Sequence, residues 1–372
     1  MSQGWRGLTW DHPRGYQALE AAAQRAAESA VSISWDRHPL EGFESHPVAE
    51  LCADYDLIVL DHPHVGDAVA AGCLTPLEEL FLAHEIAGWN TKFVGRSAAS
   101  YKYAGRHWAL PLDAATQVMA HRRDSLDAAP QTWEQVIALA GRQAVVLSLS
   151  GPHSILCFLS VCAALGATPG EGMFMERVAG REAYGILLRL AQTSPRELRN
   201  ANPISILEHM SSRNDVVLCP LVYGYVNYAG NALAFSDAPR AYADGPVGSI
   251  LGGTGIGISR RARPSQVLLN HLRWLMSDDA QRSFIPAEAG QPARRSAWCD
   301  PAVNKRSGGF YSDTLHTLEQ ATLRPRYKGA IAFQSAAAER LRQGLLCEHR
   351  ADAVLADLQE LHDRFHEPGA EL

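Results

Sequence analysis

Residues 7–64 read GLTWDHPRGYQALEAAAQRAAESAVSISWDRHPLEGFESHPVAELCADYDLIVLDHPH. Gly7–Trp10 is a short apolar run closed by the turn chemistry of His12-Pro13-Arg14-Gly15. Residues 16–29 concentrate strong helix formers. AVSISW, residues 30–35, alternates as a strand should. After a polar stretch, VAELCADY leads into DLIVLD, a nearly continuous apolar run of the kind found in strands buried on both faces. The order is strand, helix, strand, helix, strand, which predicts a parallel α/β sheet.

Asp-His-Pro occurs twice in this stretch, at 11–13 and 61–63, and His64 follows the second copy. The residue types admit a metal site, a catalytic pair, an internal repeat, or two loops with one purpose. Adjacent residues on an extended segment point to opposite sides, so a single pair seldom chelates. Pro13 and Pro63 have a simpler role, since proline stops a strand and sets the next turn.

Outward from this segment the pattern continues. Pro76-Leu77 opens a helical stretch, and residues 102–111 suggest a β-hairpin turning at Gly105. Thr132 is placed to cap a helix in PQTWEQVIALAGR. AVVLSLS (144–150) is expected to be a second buried strand. REAYGILLRLAQTS (181–194) is amphipathic, and DVVLCPLVYGYVNYA (215–229) is a strand entering an aromatic loop. Residues 245–259 are glycine-rich and end in a strand. PSQVLLNHLRWLMSDDAQRSF (264–284) predicts one strong helix, and the C-terminal stretches 332–345 and 351–365 are helical.

The chain has 372 residues, 47% of them apolar, and a net charge of -6. That length predicts two domains. The charge gives no basic footprint for nucleic acid. No run of about 18 apolar residues suggests a membrane span. The start lacks the basic, apolar and small-residue pattern of a secretory signal, and seven cysteines at irregular spacing argue against a disulfide framework. Cys157 and Cys162, in ILCFLSVCAALG, are expected to be small core residues. These features predict a cytoplasmic chain, or a periplasmic one if the start is trimmed or misassigned.

The chemical motifs of common enzymes are missing. GGTGIGIS is neither G-x-G-x-x-G nor a P-loop, and its glycines precede a strand where a phosphate cradle would follow one. There is no G-x-S-x-G and no H-E-x-x-H. Trp10, Trp108, Tyr223, Tyr225, Tyr228 and Trp298 gather near expected strand ends, with Asp11, Asp61, Asp113 and Asn227 nearby. Core packing explains any one of them. Together they suit a ligand cleft, because ligands of open α/β sheets sit beyond the carboxyl ends of the strands.

Five stretches in this order resemble the extracellular solute-binding proteins of ABC importers, the family that includes maltose-binding protein. They are GLTWDHPRGYQAL, DYDLIVLDHPHVGDAVAAGCLTPLEEL, YAGRHWALPLDAATQVMAHRRDSLDAAPQTWEQVIAL, GGTGIGISRRARPSQVLLNHLRWLMSDDAQRSF and the helical tail from Arg324-Pro325. The third is the most specific. The resemblance implies a two-lobed α/β fold of the periplasmic-binding-protein type II, each lobe a sheet flanked by helices. One lobe would hold 1–112 and 248–300, the other 113–247 and 301–365.

Carried over position by position, the resemblance implies a ligand site. The first-strand loop falls on Trp10, Asp11, His12 and Arg14, and the third-strand loop on Asp61, His62 and His64. Asp113 and Thr116 leave the hinge. Ser150 and His153 follow the second lobe's first strand, and Tyr223, Tyr225 and Asn227 form the aromatic loop. Gly252, Gly253, Arg295 and Trp298 lie on the hinge side. The implied activity is binding of a sugar, polyol or sugar acid, with an ABC permease as partner if the chain is exported. A monomer without catalytic residues, metal or cofactor is expected. Moving two lobes from about 1:99 to 99:1 requires closed-state binding better by roughly 5.5 kcal/mol. The histidines at the cleft edge would suit an anionic ligand if protonated. The other readings are a cytoplasmic ligand sensor of the same fold, and a metal-assisted or acid–base enzyme using the Asp-His loops.

Overall fold

The computed structural model of the chain describes residues 4–27, 31–230 and 232–366. The last two residues of the expected first helix, the first residue of the expected second strand and the N-terminal Met1–Gln3 lie outside the described residues. Strands β1 (Gly4–Trp10), β2 (Ser32–His38) and β3 (Leu57–Leu60) are parallel, with β1 between the other two. Helix α1 (Pro13–Ala27) makes the first crossover, starting on the proline predicted to end β1. Two short helices, α2 (Leu40–Ser45) and α3 (Val48–Asp54), make the second, each preceded by proline. All four residues of β3 are buried, as its unbroken apolar run requires.

Helices α4 (Val65–Ala71) and α5 (Ala83–Lys92) follow. The predicted hairpin is present as β4 (Lys102–Tyr103) and β5 (Arg106–His107). Its turn residues Ala104 and Gly105 both have positive φ, 48° and 75°, the geometry that matches strand twist. Strand β6 (Ala109–Pro111) then joins the sheet edge, and the chain crosses to a second sheet of β7 (Gln117–Arg122), β8 (Leu218–Tyr223) and β9 (Leu233–Ser236), antiparallel with β7 central. Helices α6 (Trp133–Ala140), α7 (His153–Ala164), α8 (Arg177–Thr193) and α9 (Pro203–Ser212) lie between β7 and β8 in sequence. Thr132 caps α6, its side chain accepting from the Gln135 N–H at 3.3 Å. α7 is apolar all round and almost wholly buried, including Cys157 and Cys162.

Strand β10 (Gly255–Ile258) returns to the first sheet and inserts antiparallel between β3 and β6, giving the order β2-β1-β3-β10-β6. Helix α10 (Gln266–Leu275) follows, capped by Ser265. The tail then packs on the second sheet: helix Phe310–Gln320 lies on β9, and helix Ala330–Leu346 lies on α7, α8 and helix Ala351–Phe365.

Where the chain passes between the sheets, three segments are laced together. Leu112 and Asp113 N–H groups both donate to Thr254 O, and Gly252 N–H donates to Ala115 O at 2.8 Å. Leu251 N–H donates to Thr322 O at 2.8 Å, and Thr322 N–H to Ser249 O at 2.9 Å.

Two expectations about elements fail. AVVLSLS is extended but is no strand, being tied to β8 only around Val145 and Val146. The next N–H, on Leu147, donates to Ser194 Oγ instead, so the ladder ends there. The helix expected over 264–284 is broken after Leu275, and Ala280–Phe284 forms a π turn. Gln281 accounts for the break: its buried amide donates to Leu112 O and Leu275 O, both at 3.1 Å, and accepts from Ala293 N–H at 2.7 Å.

Candidate functional site

A cavity lies between the two sheets, under the laced segments. It encloses about 430 Å³ including its mouth. The first sheet contributes Trp10 and Asp61 from strand ends, Arg14 from α1, and Leu40, Phe43 and Glu44 from α2. The second contributes Tyr223 and Tyr225, and the crossing segments contribute Ala115, Gly252, Gly253, Thr254 and Arg324. The Tyr223 ring passes so close to Gly252 that a Cβ there would meet it at 2.5 Å. Gly253 has φ +86°, a left-handed conformation that glycine adopts without strain, and Thr254 follows it in the cavity wall.

Two buried arginines organise the walls. Arg14 grips Asp113 with two bonds, Nε to Oδ2 at 2.6 Å and Nη2 to Oδ1 at 2.9 Å. Its remaining Nη1 donates to Gly224 O at 3.0 Å, and its guanidinium lies over the Tyr225 ring at 4.6 Å. Arg14 therefore joins the start of α1 to the end of β8. Burial works against the Arg14 charge, and the Asp113 carboxylate more than offsets it. Arg324 Nη2 donates to Asp61 Oδ2 at 2.7 Å, and again burial is outweighed by the carboxylate, which raises the guanidinium above its ordinary value. Glu44 is the one lining carboxylate without an arginine partner among the described residues. Its Oε1 lies 3.2 Å from His153 Nε2 but off hydrogen-bond geometry, so both ring nitrogens of His153 stay unpaired.

Four lining residues carry a buried polar atom with no protein partner: Trp10 Nε1, Tyr223 Oη, Thr254 Oγ1 and Arg324 Nε. Buried polar groups are nearly always satisfied, and each that is not costs about 1–3 kcal/mol. Burial also raises the Tyr223 hydroxyl above its ordinary value, so it stays protonated and can donate.

The two Asp-His-Pro copies resolve into scaffolding for these arginines. His12 Nδ1 accepts the Arg14 backbone N–H at 3.1 Å, and His62 Nε2 accepts the Arg324 backbone N–H at 3.1 Å. Both bonds need a neutral ring. Burial first, and the Arg14 charge second, push His12 down to about 4. Burial and Arg324 hold His62 well below its usual range, and burial lowers His64. Protonation, the condition under which these histidines would suit an anionic ligand, is thus disfavoured at His12, His62 and His64.

Of the residues singled out from sequence, the structure brings Trp10, Arg14, Asp61, Tyr223, Tyr225, Gly252 and Gly253 to the cavity, with Asp113 directly behind Arg14. His153 lies against Tyr223, ring centroids 5.9 Å apart, and Ser150 accepts its backbone N–H at the start of α7. The others lie elsewhere. Asp11 is exposed and faces Arg37, because the chain turns after β1 and leaves its side chain outside. His12 packs against Tyr225 and Tyr228. His64 borders a separate apolar pocket behind α2, and Thr116 bonds Ser249 Oγ at 2.6 Å within the hinge. Asn227 donates to Ala289 O at 2.9 Å on another face. Arg295 pairs with Glu319, and Trp298 is buried against Tyr311.

Leu40, Phe43, Glu44, Ala115, Thr254 and Arg324 were not anticipated. The only sequence signals for them are a six-residue helix bracketed by Pro39 and Pro47, and an arginine preceding a proline in the tail. The acid–base and metal readings of the Asp-His loops find no support in the geometry, since Asp11 and Asp61 face different arginines and His12 and His62 each accept a backbone N–H. Among the described residues, no three His, Cys, Asp or Glu side chains gather as metal ligands.

No protein-family model matches the sequence, and no curated protein does either. Solved structures do match along the whole length. A maltose-bound MalE3 of T. maritima superposes with a TM-score of 0.81 at 16% identity, covering 97% of this chain and 99% of that one. A solute-binding protein of Agrobacterium radiobacter K84 in complex with ribitol gives 0.79 at 18% identity, covering 97% and 98%. UgpB from Mycobacterium tuberculosis, in complex with glycerophosphocholine, gives 0.78 at 15% identity, covering 98% of each. The chain has the two-lobed fold of the maltose-binding-protein-like solute-binding proteins of ABC transporters.

Proposed function

We propose that this chain is a solute-binding protein of an ABC transporter, taking a small sugar or polyol between its lobes and presenting the closed form to a permease. The observation that carries the reading is the set of unpaired polar atoms on Trp10, Tyr223, Thr254 and Arg324, around a cavity also walled by aromatic faces. Hydroxyl-rich ligands satisfy such atoms, while their C–H faces pack on Trp10 and Phe43. Structural neighbours bound to maltose, ribitol, D-mannitol and alpha-D-tagatose support the class. The lobes would be 1–112 with 248–300, and 113–247 with 301–365.

The charge balance favours neutral over acidic sugars. Arg14 and Arg324 are already matched by Asp113 and Asp61, and Glu44 adds a further carboxylate. A sugar acid would bring another negative charge beside it. Thermal-shift screening against sugars, polyols and their acids tests this. A true ligand at a hundred times its dissociation constant adds about 2.7 kcal/mol to unfolding and is recovered unchanged. Preference for the acids, or chemical conversion of the ligand, would overturn the reading.

A further inference from the structure

We propose that Cys52 and Cys73 form a redox-responsive dithiol that closes to an intramolecular disulfide by exchange with a small disulfide oxidant. Cys52 lies in α3 and is 4% exposed, whereas Cys73 follows α4 and is half-buried. Both belong to the apolar cluster behind β3, and one short segment clamps both backbones. Ser259 Oγ donates to Cys52 O at 2.8 Å, and the next residue, Arg260, donates its N–H to Cys73 O at 2.8 Å. Leu74, beside Cys73, also bridges to Ser259. Consecutive residues thus hold both cysteines from one side, close enough for each thiol to perturb the other, while the Cys73 thiol itself donates to Ala68 O at 3.6 Å.

The pair is asymmetric in the way exchange requires. Cys52 is almost fully buried and Cys73 only half-buried, and the neighbouring Cys52 lowers the Cys73 thiol below its ordinary value. Cys73 is thus the better thiolate and the more accessible sulfur. Its sulfur attacks one sulfur of the oxidant R–S–S–R, breaking that bond, releasing RS⁻ and forming a mixed disulfide. The departing RS⁻ takes the proton of Cys52. The Cys52 sulfur then attacks Cys73, expelling the second RS⁻, which is protonated with the proton first lost by Cys73. Two electrons pass to the oxidant, giving two RSH and one protein disulfide. The other cysteines differ: Cys157, Cys162 and Cys219 are fully buried, and Cys299 and Cys347 are exposed.

The bridge would tie together the two ends of the segment that contains β3 and Asp61. The test uses the full chain with Cys299→Ser and Cys347→Ser, incubated with oxidised glutathione at mildly alkaline pH. Intact mass should fall by two hydrogens, and a non-reduced digest should link the Cys52 and Cys73 peptides. Adding Cys52→Ser should instead leave one glutathione on Cys73. If that variant fails to fold, the digest of the parent decides alone. An unchanged parent mass, a stable glutathione adduct on the parent, or a link through another cysteine would overturn the proposal.

Discussion

The clearest test of how the two sheets are joined is the buried pair of Arg14 and Asp113. Each side chain is 4% exposed, and they share two hydrogen bonds of 2.6 and 2.9 Å. Asp113→Leu removes the carboxylate and leaves the buried guanidinium without a counter-charge. Breaking such a pair costs about 3–5 kcal/mol. Arg14→Met costs a similar amount, because it strands the carboxylate with only the Thr254 N–H at 3.0 Å. The double variant Arg14→Met, Asp113→Leu removes both charges together. Thr254 N–H keeps the Asp113-position carbonyl at 3.2 Å, so the main residual loss is the donor to Gly224 O, about 1–3 kcal/mol. The singles sum to roughly 6–10 kcal/mol, which leaves a coupling of at least about 3 kcal/mol. Urea unfolding followed by tryptophan fluorescence at pH 7.5 measures all four corners of the cycle. Coupling below about 1 kcal/mol would refute the claim that the pair acts as a desolvated unit.

Tyr223→Phe removes an unpaired cavity hydroxyl, so calorimetry should show ligand affinity falling roughly 5- to 30-fold, about 1–2 kcal/mol, with no loss of folding stability. Glu44→Gln should narrow the preference for neutral sugars over sugar acids, measured as the ratio of their dissociation constants. Gly253→Ala places a Cβ 2.6 Å from Asp113 O at φ +86°, and should cost at least about 1–3 kcal/mol in the melting curve. Stability should also fall in acid through His12. Its ring is lowered from 6.5 to about 4 by burial and Arg14, so between these values the unfolded chain binds the extra proton. The contribution is whole above pH 6.5 and is lost as the pH drops toward 4, amounting to about 2 kcal/mol by pH 5. His12→Gln should flatten that part of the pH–stability curve.

The fold was legible because its informative elements are local patterns. Alternation in β2, the unbroken apolar run of β3 and the Thr132 cap are all decided within a few residues. Ala144–Ser150 misled because its strand character depends on where one N–H goes, and Ser194 lies far away in sequence. The helix after Ser265 misled for the same kind of reason, since Gln281 serves carbonyls on two other segments. Half the site followed from strand ends, which present residues such as Trp10 and Asp61 in a regular way. The rest did not, because Thr254 and Arg324 reach the cavity through the lacing of three distant segments. The paired Asp-His-Pro drew attention to the right loops for an incomplete reason. Its histidines fix the backbones of two arginines, and only the second aspartate meets one of those arginines.

The position of β10 bears on how the chain is made. It sits between β3 and β6, yet β6 ends at Pro111 and β10 at Ile258. Residues 4–111 supply only the three paired strands β2, β1 and β3 and the lone strand β6, which has no partner in this sheet until β10 is made. At 5–20 residues per second, about 150 further residues take roughly 7–30 s to arrive. For that time β3, apolar along its whole length, has an open edge. A nascent chain stalled before Gly255 should therefore engage chaperones and resist folding, and one stalled well past Ile258 should be released from them.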